Sequence, residues 1–133
     1  MDPAAEVLFA NERFYQAFGT GDLQGMEDLW AQDVAVSCIH PGHGPLTQRQ
    51  EIIDSWQQIL QGESAAGIEC KAPEVMIYGD LAWVICFELL PENYLIATNI
   101  FVHQKGDWKI VHHQAGPTMA KPPEEEGATK ITN

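Results

Sequence analysis

The segment LAWVICFELLPENYLIATNIFVHQ, residues 81–104, constrains the fold more than any other part of the chain. It reads as two strands, 81–90 and 94–104, joined by the tight turn Pro91-Glu92-Asn93, and therefore as an antiparallel hairpin. Both strands are apolar at odd and at even positions. In the first, Trp83, Ile85, Phe87 and Leu89 form a bulky face, and Ala82, Val84, Cys86 and then Glu88 form a small one. A sheet that is apolar on both sides needs a cover on both. The bulky face is expected to meet the core of the chain itself, and the small face to meet something else.

Upstream, the apolar period is helical. Asp2 is placed to cap a helix that has Pro3 at its first position, where a missing N–H costs nothing. Val7, Ala10, Phe14 and Phe18 make its buried stripe, and Gly19 and Gly21 end it. Asp22 opens a short second helix with Leu23, Met26, Leu29 and Trp30 on its apolar side. Thr47 and Gln50 read as a capping box for a third, with Ile52, Ile53, Trp56, Ile59 and Leu60 inward and Gly62 at its end.

The remaining segments read as strands. In VAVSCIH (34–40), Val34, Val36, Cys38 and His40 share one face. Residues 68–78 run through a Gly79-Asp80 turn into the hairpin, and Lys105-Gly106-Asp107 turns into a strand at 108–115. The fold class is α+β, three helices on a mainly antiparallel sheet. Three helices cover one side of that sheet, so a homodimer through the outer face, carrying Ala82, Val84 and Cys86, is expected to cover the other. One domain over 1–117 and a loose acidic tail over 118–133 complete the division.

Charge narrows the partners. Seven Lys+Arg against 19 Asp+Glu give a net −12, which argues against nucleic acid and anionic membranes. The longest near-apolar run, LAWVICFELL, is ten residues long and holds Glu88, whereas a spanning helix needs roughly 20. The start MDPAAEV has no basic or apolar leader, so a cytoplasmic protein is expected. Cys38, Cys70 and Cys86 show no metal or redox spacing and read as buried reduced thiols.

Three stretches carry a resemblance. AFGTGDLQGMEDLWAQDVAV, HPGHGPLTQRQEIIDSW and GDWKIVHHQAGP, in this order and spacing, are similar to segments of the nuclear transport factor 2-like superfamily, in its SnoaL-like and ketosteroid-isomerase-like branch. The resemblance covers about residues 5–117. It implies a cone-shaped fold whose helices close over a concave sheet, with a cavity that hosts isomerases, cyclases, dehydratases, hydrolases or no chemistry. It also implies a place for each site residue. His40, before Pro41, falls where steroid-isomerase-like members hold their Asp base. Phe14 falls at their oxyanion tyrosine, with Tyr15 about 100° away around the helix. Asn99 falls at their second acid. Phe14 donates no hydrogen bond and Asn99 only a neutral one, so steroid isomerisation itself is not expected.

The expected site is therefore His40 with Asn99 as the catalytic pair, in a pocket lined by Phe14, Phe18, Trp30, Trp56, Trp83, Phe87, Phe101, Trp108 and His112. His112 shares parity with Trp108 and Ile110, so it is expected inside and His113 outside. His43 and His103 are expected at the surface, and Glu88 at an interface or edge. The histidines lack ligand spacing, so neither a metal nor any other cofactor is expected. The ligand would be a small, mostly apolar organic molecule, with His40-based acid–base chemistry of the isomerase, cyclase or hydratase type. The alternative is a non-catalytic dimerisation or association domain.

Overall fold

In a computed structural model, residues 2–62 and 67–123 are described. The last ten residues of the expected acidic tail lie outside them, and the stretch 118–123 holds neither helix nor strand. The order is α1 (Pro3–Thr20), α2 (Leu23–Leu29), β1 (Ser37–Ile39), α3 (Arg49–Gln61), β2 (Glu69–Tyr78), β3 (Leu81–Leu89), β4 (Tyr94–Gln104) and β5 (Asp107–Pro117). The strands form one curved sheet in the order β1-β5-β4-β3-β2. All pairs are antiparallel except β1 with β5, which is parallel.

Local chemistry sets most boundaries. Asp2 accepts from Ala5 N to cap α1, and Gly21 ends it with φ 72, a left-handed conformation open to glycine. Asp22 caps α2 through Gly25 N. The capping box expected at Thr47 does not form. α3 is preceded by Gln48, which makes no side-chain cap. Arg49 in its first turn instead donates to the carbonyls of Glu27, Trp30 and Ala31, so it anchors α3 by closing the C-terminal end of α2.

The first strand is shorter than its alternation implied. Only 37–39 pair, and Val34 is exposed while Val36, Cys38 and His40 are buried. The chain leaves β1 through a turn in which His43 N donates to His40 O at 2.9 Å. Pro41 fixes the first central φ, and Gly42 supplies φ 80 at the second, the pattern of a type II turn.

The two sheet faces are the reverse of expectation. Ala82, Val84, Cys86 and Glu88 are the buried face of β3, at most 1% exposed, under the helices. Trp83, Ile85, Phe87 and Leu89 lie on the outer face, only half-buried. Helix α1 brings the bulk itself, through Phe14 and Tyr15, so the strand opposite must be small to pack at native density. On β4 the inner positions are Leu95, Ala97, Asn99 and Phe101, paired in register with β3.

Candidate functional site

Trp83 and Phe87 therefore do not line the interior. Phe14, Trp30, Trp56, Phe101 and Trp108 are buried as core packing and do not line the cavity beside His40, whereas Phe18, at the edge of the same core, does. The two C-terminal histidines are also exchanged. Phe101 pairs with Ile110, but the next residue, Ile100, pairs with His112. One residue of β5, Val111, is thus extra, and this bulge inverts the parity of everything after it. Trp108 and Ile110 face inward before the bulge, and His113 and Ala115 after it. His112 is left on the outer side, where Nδ1 lies 2.6 Å from Ser37 Oγ. His103 is half-buried against the Trp108 ring, and His43 is exposed as expected.

Inside, the helix and sheet bring a polar network together. The Tyr15 hydroxyl donates to Glu88 Oε2 at 2.7 Å. Asn99 Nδ2 donates to Tyr15 Oη at 3.2 Å and to Asn11 Oδ1 at 2.9 Å. Both amide protons of Asn99 are then committed, so its Oδ1, 2.5 Å from His113 Nδ1, accepts. That fixes the tautomer. His113 carries its proton on Nδ1 and its lone pair on Nε2, which lies 3.9 Å from Glu88 Oε2.

His40 is fixed by the same reasoning. Ser55 Oγ donates to Ile52 O at 2.6 Å, so it accepts from His40 Nε2 at 2.9 Å. His40 Nδ1 then holds the lone pair. The ring stands edge-on to Trp56 at 4.9 Å and 6.3 Å from the ring of His113. Trp56 is fully buried, and its Nε1 has no hydrogen-bond partner among the described residues.

Burial sets the charges. Desolvation, aided by the neighbouring histidines, pushes His113 down to about 3. Desolvation, with a smaller contribution from His43, pushes His40 down to about 4. Desolvation raises Glu88 to about 7, against a smaller lowering by the Tyr15 hydrogen bond. Glu88 and His113 are therefore not an ion pair near neutrality. The imidazole is neutral, and the carboxyl lies close to its own midpoint.

These groups meet a cavity of about 270 Å³. His40, His43, Glu88 and His113 supply its polar wall, and Phe18, Ile59, Ile68, Leu90 and Leu95 supply much of its apolar wall. A second, outer hollow of about 450 Å³, lined by Leu46, Ser55 and Gln58 among others, shares His40, His43 and Ile59 with the first. Asn99 stands behind this wall, with its amide wholly engaged by Asn11, Tyr15 and His113. Among the described residues no group of three or more His, Cys, Asp or Glu is placed to hold a metal, and no helix is long and apolar enough to cross a membrane.

Four members of this site, Asn11, Tyr15, Glu88 and His113, were not read from the sequence as parts of it. An apolar stripe on a core helix spans 100° or more, wide enough to bury Asn11 and Tyr15 beside Val7, Ala10 and Phe14. That width is the signal available for the first two. The bulge that turns His113 inward leaves none.

Comparisons with known proteins bear on the same region. The sequence profile of the SnoaL-like domain matches residues 7–120. The F-box protein SKIP8 of Arabidopsis thaliana is 30% identical over 112 residues, which are 82% of this chain and 48% of that protein. The chain thus spans about half the length of this curated relative. A candidate dehydratase of the nuclear transport factor 2-like family from Streptomyces avermitilis superposes with a TM-score of 0.80 at 28% identity, covering 88% of this chain and 97% of that one. A candidate calcium/calmodulin-dependent protein kinase type II association domain from Thiobacillus denitrificans gives 0.77 at 28% identity, covering 88% and 95%.

Proposed function

The chain belongs to the SnoaL-like domain family, and on that footing we propose that it takes up a small, mostly apolar organic molecule in the cavity beside Glu88 and transfers a proton on it. The observation that carries this reading is Glu88 itself, a carboxyl 1% exposed in the cavity wall and raised by burial to about 7. A general acid–base group works best when its pKa lies near the working pH, and such catalysis is worth roughly 10² to 10⁴ in rate.

Ionised Glu88 takes a proton from a carbon next to a carbonyl. Returning that proton at another carbon gives an isomerisation. Losing a β-hydroxyl as water gives a dehydration. His113 Nε2 and His40 Nδ1 are the two lone pairs that receive a hydroxyl proton of the ligand. At about 4, His40 is too weak a base to lead the reaction near neutrality, so it holds the ligand while Glu88 does the chemistry. Asn99 acts as a positioning residue that fixes the His113 tautomer. The similarity to the candidate dehydratase supports this class of chemistry. The reading places the protein in the cytoplasm, where its three thiols stay reduced by default.

The test is turnover on a panel of β-hydroxy ketones and β,γ-unsaturated ketones. Glu88→Gln is expected to abolish turnover and leave binding in place, and His40→Ala to weaken binding. Full activity of Glu88→Gln would end the reading.

A second reading has its own observation. The outer sheet face is apolar over Trp83, Ile85, Phe87, Ile96 and Ile100, and a second copy of this chain would cover it. A domain that serves only to associate, like the one named for the Thiobacillus protein, would need that face and no chemistry inside.

A further inference from the structure

The sequence spacing of the cysteines hides a pairing that the sheet makes. Cys70 pairs with Glu88 across β2 and β3, so both point toward the helices. Cys86 lies two residues along on the same face, diagonal to Cys70. Between Lys71 and Glu74 the register slips by one, and Ala72 takes φ 53. Cys70 and Cys86 are thus diagonal neighbours on one face, close enough for each thiol to perturb the other. Asn11 Nδ2 donates to Cys70 Sγ at 3.5 Å, and Cys86 Sγ lies 3.3 Å from Tyr15 Oη.

We propose that Cys70 and Cys86 are a peroxide-sensitive dithiol that closes to a disulfide and thereby disturbs the Tyr15–Glu88 pair. The two sulfurs differ in the way such a pair requires. Cys70 is partly exposed on the edge strand, and the Cys86 thiol and the Asn11 amide lower its thiol pKa against the opposing effect of burial. Cys86 is buried, and its thiol is held protonated by Cys70 and by burial. Cys38 is buried away from both, and desolvation pushes it up to about 12.

The chemistry balances with hydrogen peroxide as oxidant. The Cys70 thiolate attacks the O–O bond, forming a sulfenic acid and releasing one water once its hydroxide is protonated. Cys86 sulfur then attacks Cys70 sulfur. The sulfenic hydroxyl leaves with the Cys86 proton as a second water, and an S–S bond remains. Two thiols lose two electrons and the peroxide gains them. A diagonal pair stands at the upper limit of the Cα separation a disulfide spans, so closing the bond requires β2 to shift, and the register slip between Lys71 and Glu74 lies beside Cys70. The closed bond draws Cys86 Sγ from the Tyr15 hydroxyl that donates to Glu88. This proposal does not depend on the cavity holding a ligand.

The experiment is stoichiometric hydrogen peroxide on the native protein, followed by denaturation, thiol counting and peptide mapping. The expected result is a fall from three free thiols to one, a mass loss of two hydrogens, and a peptide joining Cys70 to Cys86 within one chain. In Cys86→Ser, Cys70 is expected to stop at a sulfenic acid that dimedone traps. The proposal is overturned if three thiols survive, if Cys38 reacts first, or if the native protein gains oxygen on Cys70 without a cross-link.

Discussion

The Tyr15 hydroxyl donates to Glu88 Oε2 across 2.7 Å, joining the middle of α1 to an interior strand of the sheet. A hydrogen bond to a carboxylate favours the charged form, whereas burial disfavours it. Here burial wins and leaves the carboxyl at about 7.

Tyr15→Phe tests that balance from one side. It removes a donor from Glu88 and an acceptor from Asn99, both buried, and is expected to cost about 1–3 kcal/mol in denaturant unfolding. It should also raise the Glu88 midpoint further, read from the carboxyl carbon by NMR. An unchanged or lowered midpoint would contradict the arrangement.

Glu88→Gln tests it from the other. The folded midpoint of about 7 lies above the unfolded reference of 4.5. Its favourable contribution is therefore fully present below 4.5 and is lost as pH rises through about 7. The glutamine does not titrate, so its stability relative to the parent should improve over that window, by up to about 3 kcal/mol. A stability difference that stays flat between pH 4 and about 8 would show that Glu88 is not desolvated.

The histidines run the opposite way. His40 and His113 have folded midpoints of about 4 and about 3, below the reference of 6.5. Their contribution is complete above 6.5 and is lost as pH falls toward those values. Imidazole NMR signals of both are expected to stay those of the neutral ring at pH 5, with the proton on Nδ1 of His113 and on Nε2 of His40. Titration of either near 6.5 would contradict the buried network.

Assembly is testable separately. The apolar outer face is expected to close a homodimer, so light scattering should give twice 14.8 kDa, and Ile100→Lys should give a monomer. A parent protein that is already monomeric at micromolar concentration would remove the second copy from the account.

The order of elements was legible because caps and periods are local. Asp2, Gly21 and Asp22 act within a turn of where they stand. The direction of the sheet was not legible. Both faces of β3 are apolar, and which one meets the helices depends on the bulk that α1 contributes, a relation across the fold. His112 and His113 were exchanged by one extra residue in β5, which no pattern in the strand announces. Glu88 followed the sheet, since its small-residue neighbours carried it inward. His40 was placed correctly inside because Cys38 and Pro41 fix its parity and exit, but its low basicity comes from burial that the sequence does not print.

The cavity beside Glu88 is tested most directly by methyl NMR during titration with small neutral carbonyl compounds. Ile59, Ile68, Leu90 and Leu95 line it, whereas Ile85, Ile96 and Ile100 lie on the outer sheet face. The predicted result is saturable shifts confined to the first group and lost in a variant with Ile59→Trp filling the cavity. Shifts confined to the outer-face isoleucines, or none for any compound in the panel, would contradict it.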